Sequence, residues 1–260
     1  MAMHTSVGFE SHLLRLFYGW LFFIALMLLF QLYDIDFYIA DYLYHWEGGQ
    51  WLLKDNAIAK SILHDDGRIL SELMGAGLIG FAVTAFMKKS LGHWRRPLLY
   101  LITSVASSTV LVSLIKNSIS MDCPWDLARY GGDLPFIGLF ESRPAGMPDT
   151  ACFPAGHASA GYGWVALYFL LAVMAPSWRY VGLAIGLSMG LVFGIDQQLR
   201  GAHFLSHDLS TLMICWSCSA ILGWLMLRKF SAQSEFVNAW MSHAARPVIA
   251  PTHHVKKEGA

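Results

Sequence analysis

Six runs free of Asp, Glu, Lys and Arg divide this chain, at residues 16–33, 73–87, 97–115, 158–178, 180–195 and 209–227. Four of them have 18 or more residues. As helices rising 1.5 Å per residue, these cross a hydrocarbon core of about 30 Å. The runs at 73–87 and 180–195 are shorter and bring Ser71, Glu72, Gln197 and Gln198 to the interface. Inside a bilayer every backbone N–H and C=O must be paired within the protein, so runs of this length have little choice but to be helical. Only 14% of the residues are charged and 55% are hydrophobic, against about 25% charged in soluble domains. The chain therefore reads as an all-α bundle of six transmembrane helices, at about 15–33, 71–87, 97–116, 157–176, 180–198 and 208–227. They form one domain over 1–230, followed by a disordered cytoplasmic tail over 231–260.

Lys and Arg set the orientation of such a bundle. With the N-terminus inside, segments 1–15, 88–96, 175–180 and 228–260 hold 11 Lys/Arg against 3 Asp/Glu, and the rest of the chain holds 7 against 15. Both termini are thus expected in the cytoplasm, and loops 34–72, 116–157 and 196–208 outside. The first run follows a single Arg and ends in Gln31-Leu32-Tyr33-Asp34, without a small-residue cleavage pattern, so it reads as a helix and not a cleaved signal. Residues 56–63 form either a helix lying on the membrane surface or an ordinary loop helix. Trp46 and Trp51 fit an interfacial aromatic belt. The histidines and lysines of the tail, His243, His253, His254, Lys256 and Lys257, suit a segment that touches anionic lipid.

Three polar clusters lie at the outer ends of these helices: Lys116 with Cys123-Pro124, then Pro154-Ala155-Gly156-His157, then the stretch from Arg200 through His203 and His207 to Asp208. Ionisable groups in such places are costly and usually functional. The three suit a phosphate. Lys116 supplies positive charge, and the helix opening at Ala155-Gly156-His157 offers free N–H groups, with Gly156 allowing close approach. Arg200 adds a forked donor matched to phosphate oxygens. His157 and His203 are the candidates for nucleophile and acid, since imidazole and imidazolium are both accessible near neutral pH. Cys123 and Cys152 share the outer loop and are either bridged or two free thiols. Cys215 and Cys218 read as buried small hydrophobes. Two other classes remain open: a zinc site built from His157, His203 and His207, and a transporter without catalytic activity.

The clusters resemble the signature of the type 2 phosphatidic acid phosphatase superfamily: Lys-x6-Arg-Pro, Pro-Ser-Gly-His and Ser-Arg-x5-His-x3-Asp. Lys116 and Pro124 match the first motif with Cys123 in place of Arg. Pro154-Ala155-Gly156-His157 matches the second with Ala155 in place of Ser. Around His203, the family's Arg position holds Gln197 and its Asp position holds His207. The resemblance covers about residues 112–212. It implies a bacterial inner-membrane lipid phosphatase in which His203 forms a phosphohistidine, His157 protonates the leaving group and Lys116 grips the phosphoryl oxygens. Arg200 and Arg129 are the candidate replacements for the missing arginines, and His207 or Asp208 the orienter of His203. The implied substrate is a lipid phosphate or isoprenoid diphosphate held at the outer leaflet. No metal or other cofactor and no nucleic-acid partner is expected. A phosphotransferase using the same residues is the alternative within the enzyme class.

Overall fold

The computed structural model describes residues 6–54, 66–139 and 141–244. The candidate helix at 56–63 and the end of the tail lie outside them. Among the described residues the chain is helical, with no strands, and six of its segments are long and apolar enough to cross a membrane. In chain order the helices are α1 (Ser6–Leu32), α2 (Ile35–Trp46), α3 (Asp66–Met87), α4 (Arg95–Ser118), α5 (Gly156–Tyr162), α6 (Ala166–Met174), α7 (Arg179–Leu199) and α8 (Leu205–Ala244). The fourth span is α5 and α6 together, Gly156–Met174, joined by a 3-10 turn at Gly163–Val165.

Two elements depart from expectation. An additional helix, α2, occupies the segment between the first two spans, and α8 runs on to Ala244 where a disordered tail was expected from residue 231. No Gly or Pro interrupts the chain between Gly223 and Pro247, so nothing there stops a helix already nucleated upstream.

Helix α7 carries glycine at every fourth residue, 182, 186, 190 and 194, all buried. Residues four apart share one face of a helix. This face has no side chains of its own, and the neighbouring chain enters directly. Gly182 lies against Leu167, Gly186 against the backbone of Trp164 and Val165, Gly190 against the Tyr162 ring and Gly194 against the Asp208 carboxyl. Close approach through small residues is how helices associate in lipid, where apolar burial provides no drive. Here it clamps α5 and α6 onto α7 and fixes the depth at which α5 begins.

Polar side chains tie the remaining spans. The buried Tyr100 hydroxyl donates to the carbonyls of Ser219 (3.0 Å) and Ala166 (3.3 Å), joining α4 to α8 and α6. Ser71 of α3 donates to the Ala160 carbonyl at 2.9 Å. Trp20 of α1 donates to Ser217 of α8 at 3.1 Å. Arg95 donates to the carbonyls of Ala85 and Phe86 at 2.9 and 3.0 Å, closing the C-terminal end of α3 with a cation. With α4 and α7 antiparallel to the α5–α6 unit and α8, the last turns of α4 and α7 meet the first turns of α5 and α8 at one face of the bundle.

Candidate active site

At that face a cavity of about 230 Å³ opens between α4, α5 and α7, lined by Thr109, Ser113, Lys116, Gly156, His157, Ser159, Ala160, Phe193, Asp196 and Gln197. Thr109, Ser113 and Lys116 fall on one stripe of α4, and seven residues of rise carry the polar wall about 10 Å down from the helix end. The Lys116 ammonium lies over Gly156: a Cβ there would sit 3.4 Å from Nζ. Glycine at this position is what lets the cation rest against the start of α5. Ser159 turns its hydroxyl back onto the Gly156 carbonyl at 2.6 Å.

His203 is buried, 4% exposed, in the short segment between α7 and α8. It is not among the cavity-lining residues, though it is near enough to Lys116 and His157 for both to act on it electrostatically. Burial holds its pKa well below the usual imidazole value, and the nearby charges of His207, Lys116 and His157 push the same way. Its ring is therefore neutral at pH 7, as a nitrogen nucleophile must be. Nδ1 of His203 is buried without a hydrogen-bond partner among the described residues.

The segment bearing His203 is held from three sides. Ala202 N–H donates to the Gln197 carbonyl (2.8 Å) and Trp125 N–H to the Gly201 carbonyl (2.9 Å). Gly201 has φ +71°, a conformation L side chains rarely adopt, and the Trp51 ring occupies the space a Cβ would need. Asp36 of α2 accepts from Ser206 N–H at 3.0 Å, capping α8 from another part of the chain. The buried Thr211 hydroxyl lies 3.0 Å from both the Ala155 and His207 carbonyls, stitching the second motif to α8.

Of the two candidates to orient His203, His207 is the ring neighbour, with centroids 5.7 Å apart. The His207 ring also packs edge-on against Phe153 (5.3 Å) and Phe204 (5.5 Å). Asp208 faces the other way: its carboxylate accepts from Gln198 and lies against Gly194 of α7. The two candidate arginines are likewise turned elsewhere. Arg200 donates to the Lys54 carbonyl at 3.2 Å and does not line the cavity. Arg129 pairs with Asp41 (Nε to Oδ1, 2.8 Å) and stacks over Phe37 at 4.8 Å. Ala155 is fully buried ahead of α5. Cys123 and Cys152 are joined in a disulfide, which binds the segment after α4 to the one before α5.

Sequence reasoning did not single out Asp196, which lines the cavity while 3% exposed and accepts from Gln197 Nε2 at 2.7 Å. It also passed over Asp36, Thr211 and Arg143, whose guanidinium makes a forked pair with Asp122 at 2.7 and 3.0 Å in the loop between α4 and α5. Asp36, Thr211 and Arg143 each act through a partner distant in sequence, so no local pattern marks them. As for a metal, the described residues bring together one group of potential ligand atoms, Cys123, Asp126 and Cys152, and two of these form the disulfide. The donor atoms of His157, His203 and His207 are not gathered in that way.

No protein of curated function and no solved structure matches the chain. The family model of the PAP2 superfamily does match, over residues 97–231. That stretch is just over half the chain and contains α4 through the membrane part of α8, with every cavity-lining residue. With six candidate membrane spans and a family model matched over more than half of its length, this chain belongs to the PAP2 superfamily, a family of phosphatase-type enzymes.

Proposed function

We propose that this protein hydrolyses the phosphate ester of an amphiphile, a lipid or isoprenoid (di)phosphate, through a phosphohistidine on His203. The observation that carries the reading is the meeting of Lys116, Gly156 and His157 in one cavity, with neutral His203 charge-coupled behind it. The phosphoryl oxygens lie against Lys116 and the first N–H groups of α5. The lone pair of His203 attacks phosphorus in line, the P–O bond to the lipid breaks, and His157 gives its proton to the departing oxygen. Water, deprotonated by the now neutral His157, then breaks the P–N bond and releases phosphate. His203 must be reached from the cavity, so substrate binding shifts the wall. Catalytic contacts are commonly long in the empty enzyme and tighten in the complex.

By the Lys/Arg bias, the cavity face is extracytoplasmic and both termini are cytoplasmic. The substrate's tails remain in the outer leaflet while its headgroup enters beside α5. His207 packs against the His203 ring and restricts its rotation.

The test is phosphate release from lipid monophosphates and diphosphates in detergent micelles containing EDTA. Wild type turns over, and His203→Ala and His157→Ala each lose at least about 100-fold while eluting as folded protein. Full activity in His203→Ala sinks the phosphohistidine, and activity abolished by EDTA sinks the metal-free route.

A further inference from the structure

The segment carrying His203 is held by two stretches of backbone, and a covalent bond ties those stretches together. On one side Trp125, two residues after Cys123, donates its N–H to the carbonyl of Gly201, two residues before His203. On the other side, just after Cys152, the Phe153 ring lies edge-on to the His207 ring at 5.3 Å and Ala155 N–H donates to the His207 carbonyl at 3.4 Å. The Cys123–Cys152 disulfide joins the two stretches, and both cysteines are buried. Beside it run two backbone hydrogen bonds, from Cys152 N–H to the Met121 carbonyl (3.1 Å) and from Met121 N–H to the Thr150 carbonyl (3.3 Å). Water can replace both of these, whereas the covalent bond fixes the separation. Nδ1 of His203 is buried and has no hydrogen-bond partner among the described residues. An atom so enclosed cannot meet a substrate, so Nδ1 keeps the ring proton and Nε2 carries the lone pair. Burial governs the charge state of this ring, and against it the Cys152 carbonyl acts on the ring as a hydrogen-bond acceptor. Asp208, the carboxylate nearest along the chain, is turned to Gln198 and Gly194 instead.

We infer that Cys152 is a positioning residue: its bridge to Cys123 holds its carbonyl beside the His203 ring, where it accepts a hydrogen bond from Nδ1–H as phosphorus bonds to Nε2. This rests on the reading of His203 as the nucleophile and deepens it. As the P–N bond forms, the P–O bond to the lipid breaks with its electron pair on the oxygen that His157 protonates, and the His203 ring becomes cationic. A carbonyl dipole aimed at Nδ1–H stabilises that charge where it develops. The contact is incomplete in the empty site and tightens in the complex. The same acceptor keeps the proton on Nδ1 and Nε2 free to attack. When the bridge is reduced, the two stretches part and the carbonyl turns to water. The cavity itself survives, because helix packing sets it: Gly161 of α5 lies so close to the backbone of Gly190 of α7 that no Cβ fits between them. Substrate therefore still binds, and the chemical step slows. In the orientation proposed above, the bridge lies on the extracytoplasmic side, where thiols oxidise. A newly inserted chain thus turns over lipid only once the bridge has closed.

Full-length protein in detergent micelles is assayed on lipid monophosphates and diphosphates in three forms: oxidised, reduced in place by a phosphine, and as the double variant Cys123→Ala with Cys152→Ala. The phosphine takes the oxygen of water as the disulfide becomes two thiols. Alkylation and peptide mass spectrometry report the state of Cys123 and Cys152 in each sample. The expected result is a kcat lower by about 10- to 100-fold in both bridgeless forms with KM changed by no more than about threefold, since a misplacement of about 1 Å can cost that much in rate. Reoxidation of the reduced protein restores kcat. A bridge that served the fold alone would lower the active fraction and leave kcat per folded molecule, counted by retention of a lipid phosphonate, unchanged. That outcome overturns the inference, and so does a KM that rises in step with the loss of kcat. If the double variant does not fold, the reversible loss in protein reduced in place decides; if the buried bridge resists the phosphine, the double variant decides. Oxidised protein that turns over none of the lipids ends the hydrolase reading and this inference with it. Oxidised and bridgeless proteins with equal kcat leave the hydrolase standing and overturn the role of Cys152 alone.

Discussion

Replacing Gly186 with alanine tests the packing on which the site depends. In a helix exposed to its surroundings, Gly→Ala is worth up to about 1 kcal/mol in favour of the helix. At Gly186 the new Cβ would land inside the backbone of Trp164 and Val165, with Val165 Cα only 2.8 Å away. Those are backbone atoms on a 3-10 turn held between two helices, so they cannot rotate aside, and α7 must move off the α5–α6 unit. Overpacking of this kind costs about 1–3 kcal/mol. After the propensity gain is subtracted, Gly186→Ala should destabilise by up to about 2 kcal/mol. Gly80 of α3 is the internal control, because a Cβ there meets nothing within 4 Å. Gly80→Ala should be neutral or stabilising by up to about 1 kcal/mol. The two variants are compared by denaturant titration in one detergent, with helicity as the readout. The displacement also separates His157 from Asp196 and Gln197 across the cavity, so turnover in Gly186→Ala should fall further than stability does. A Gly186→Ala protein as stable as Gly80→Ala would refute the close packing of α7 and the geometry derived from it.

Breaking the bridge by Cys123→Ser frees a loop closed over a separation of 29 residues, worth about 3–4 kcal/mol by chain entropy; a reduced protein with unchanged thermal unfolding would contradict this. Asp36 has its pKa raised by burial despite accepting from Ser206. A raised acid favours the folded state while protonated, so that stability is fully present below about pH 4 and is lost as pH rises through the folded-state pKa. Asp36→Asn keeps an acceptor for Ser206 N–H without the charge, so its stability relative to wild type should improve as pH rises through that range; a constant difference would show that Asp36 does not titrate in the fold. Asp36→Ala should be about 1 kcal/mol less stable than Asp36→Asn at any pH in the same titration, because it lacks the acceptor for Ser206 N–H. Arg129→Ala, which removes an exposed pair with Asp41, should cost no more than about 1 kcal/mol and spare phosphate release; a large loss of turnover would return Arg129 to the site.

The six spans were legible because the signal for them is local: hydrocarbon excludes charge and demands internal backbone pairing, and both demands act on contiguous residues. Lys116, Gly156, His157 and His203 were legible for a related reason. Each falls in a short pattern at a helix end, and the order of the patterns along the chain is enough to bring them to one face. What tertiary structure alone decided are the directions in which side chains point. Asp208 and His207 are adjacent in sequence, yet one faces α7 and the other the His203 ring. Arg129 and Arg200 had the right charge, but Arg129 pairs with Asp41 and Arg200 donates to the Lys54 carbonyl, partners far away along the chain. Asp196, which no sequence pattern marked, lines the cavity. Apolar run length is a one-dimensional quantity that a chain carries by itself. The partner of a polar group is set by which distant segment arrives beside it, and that depends on how glycine-faced α7 lets its neighbours approach.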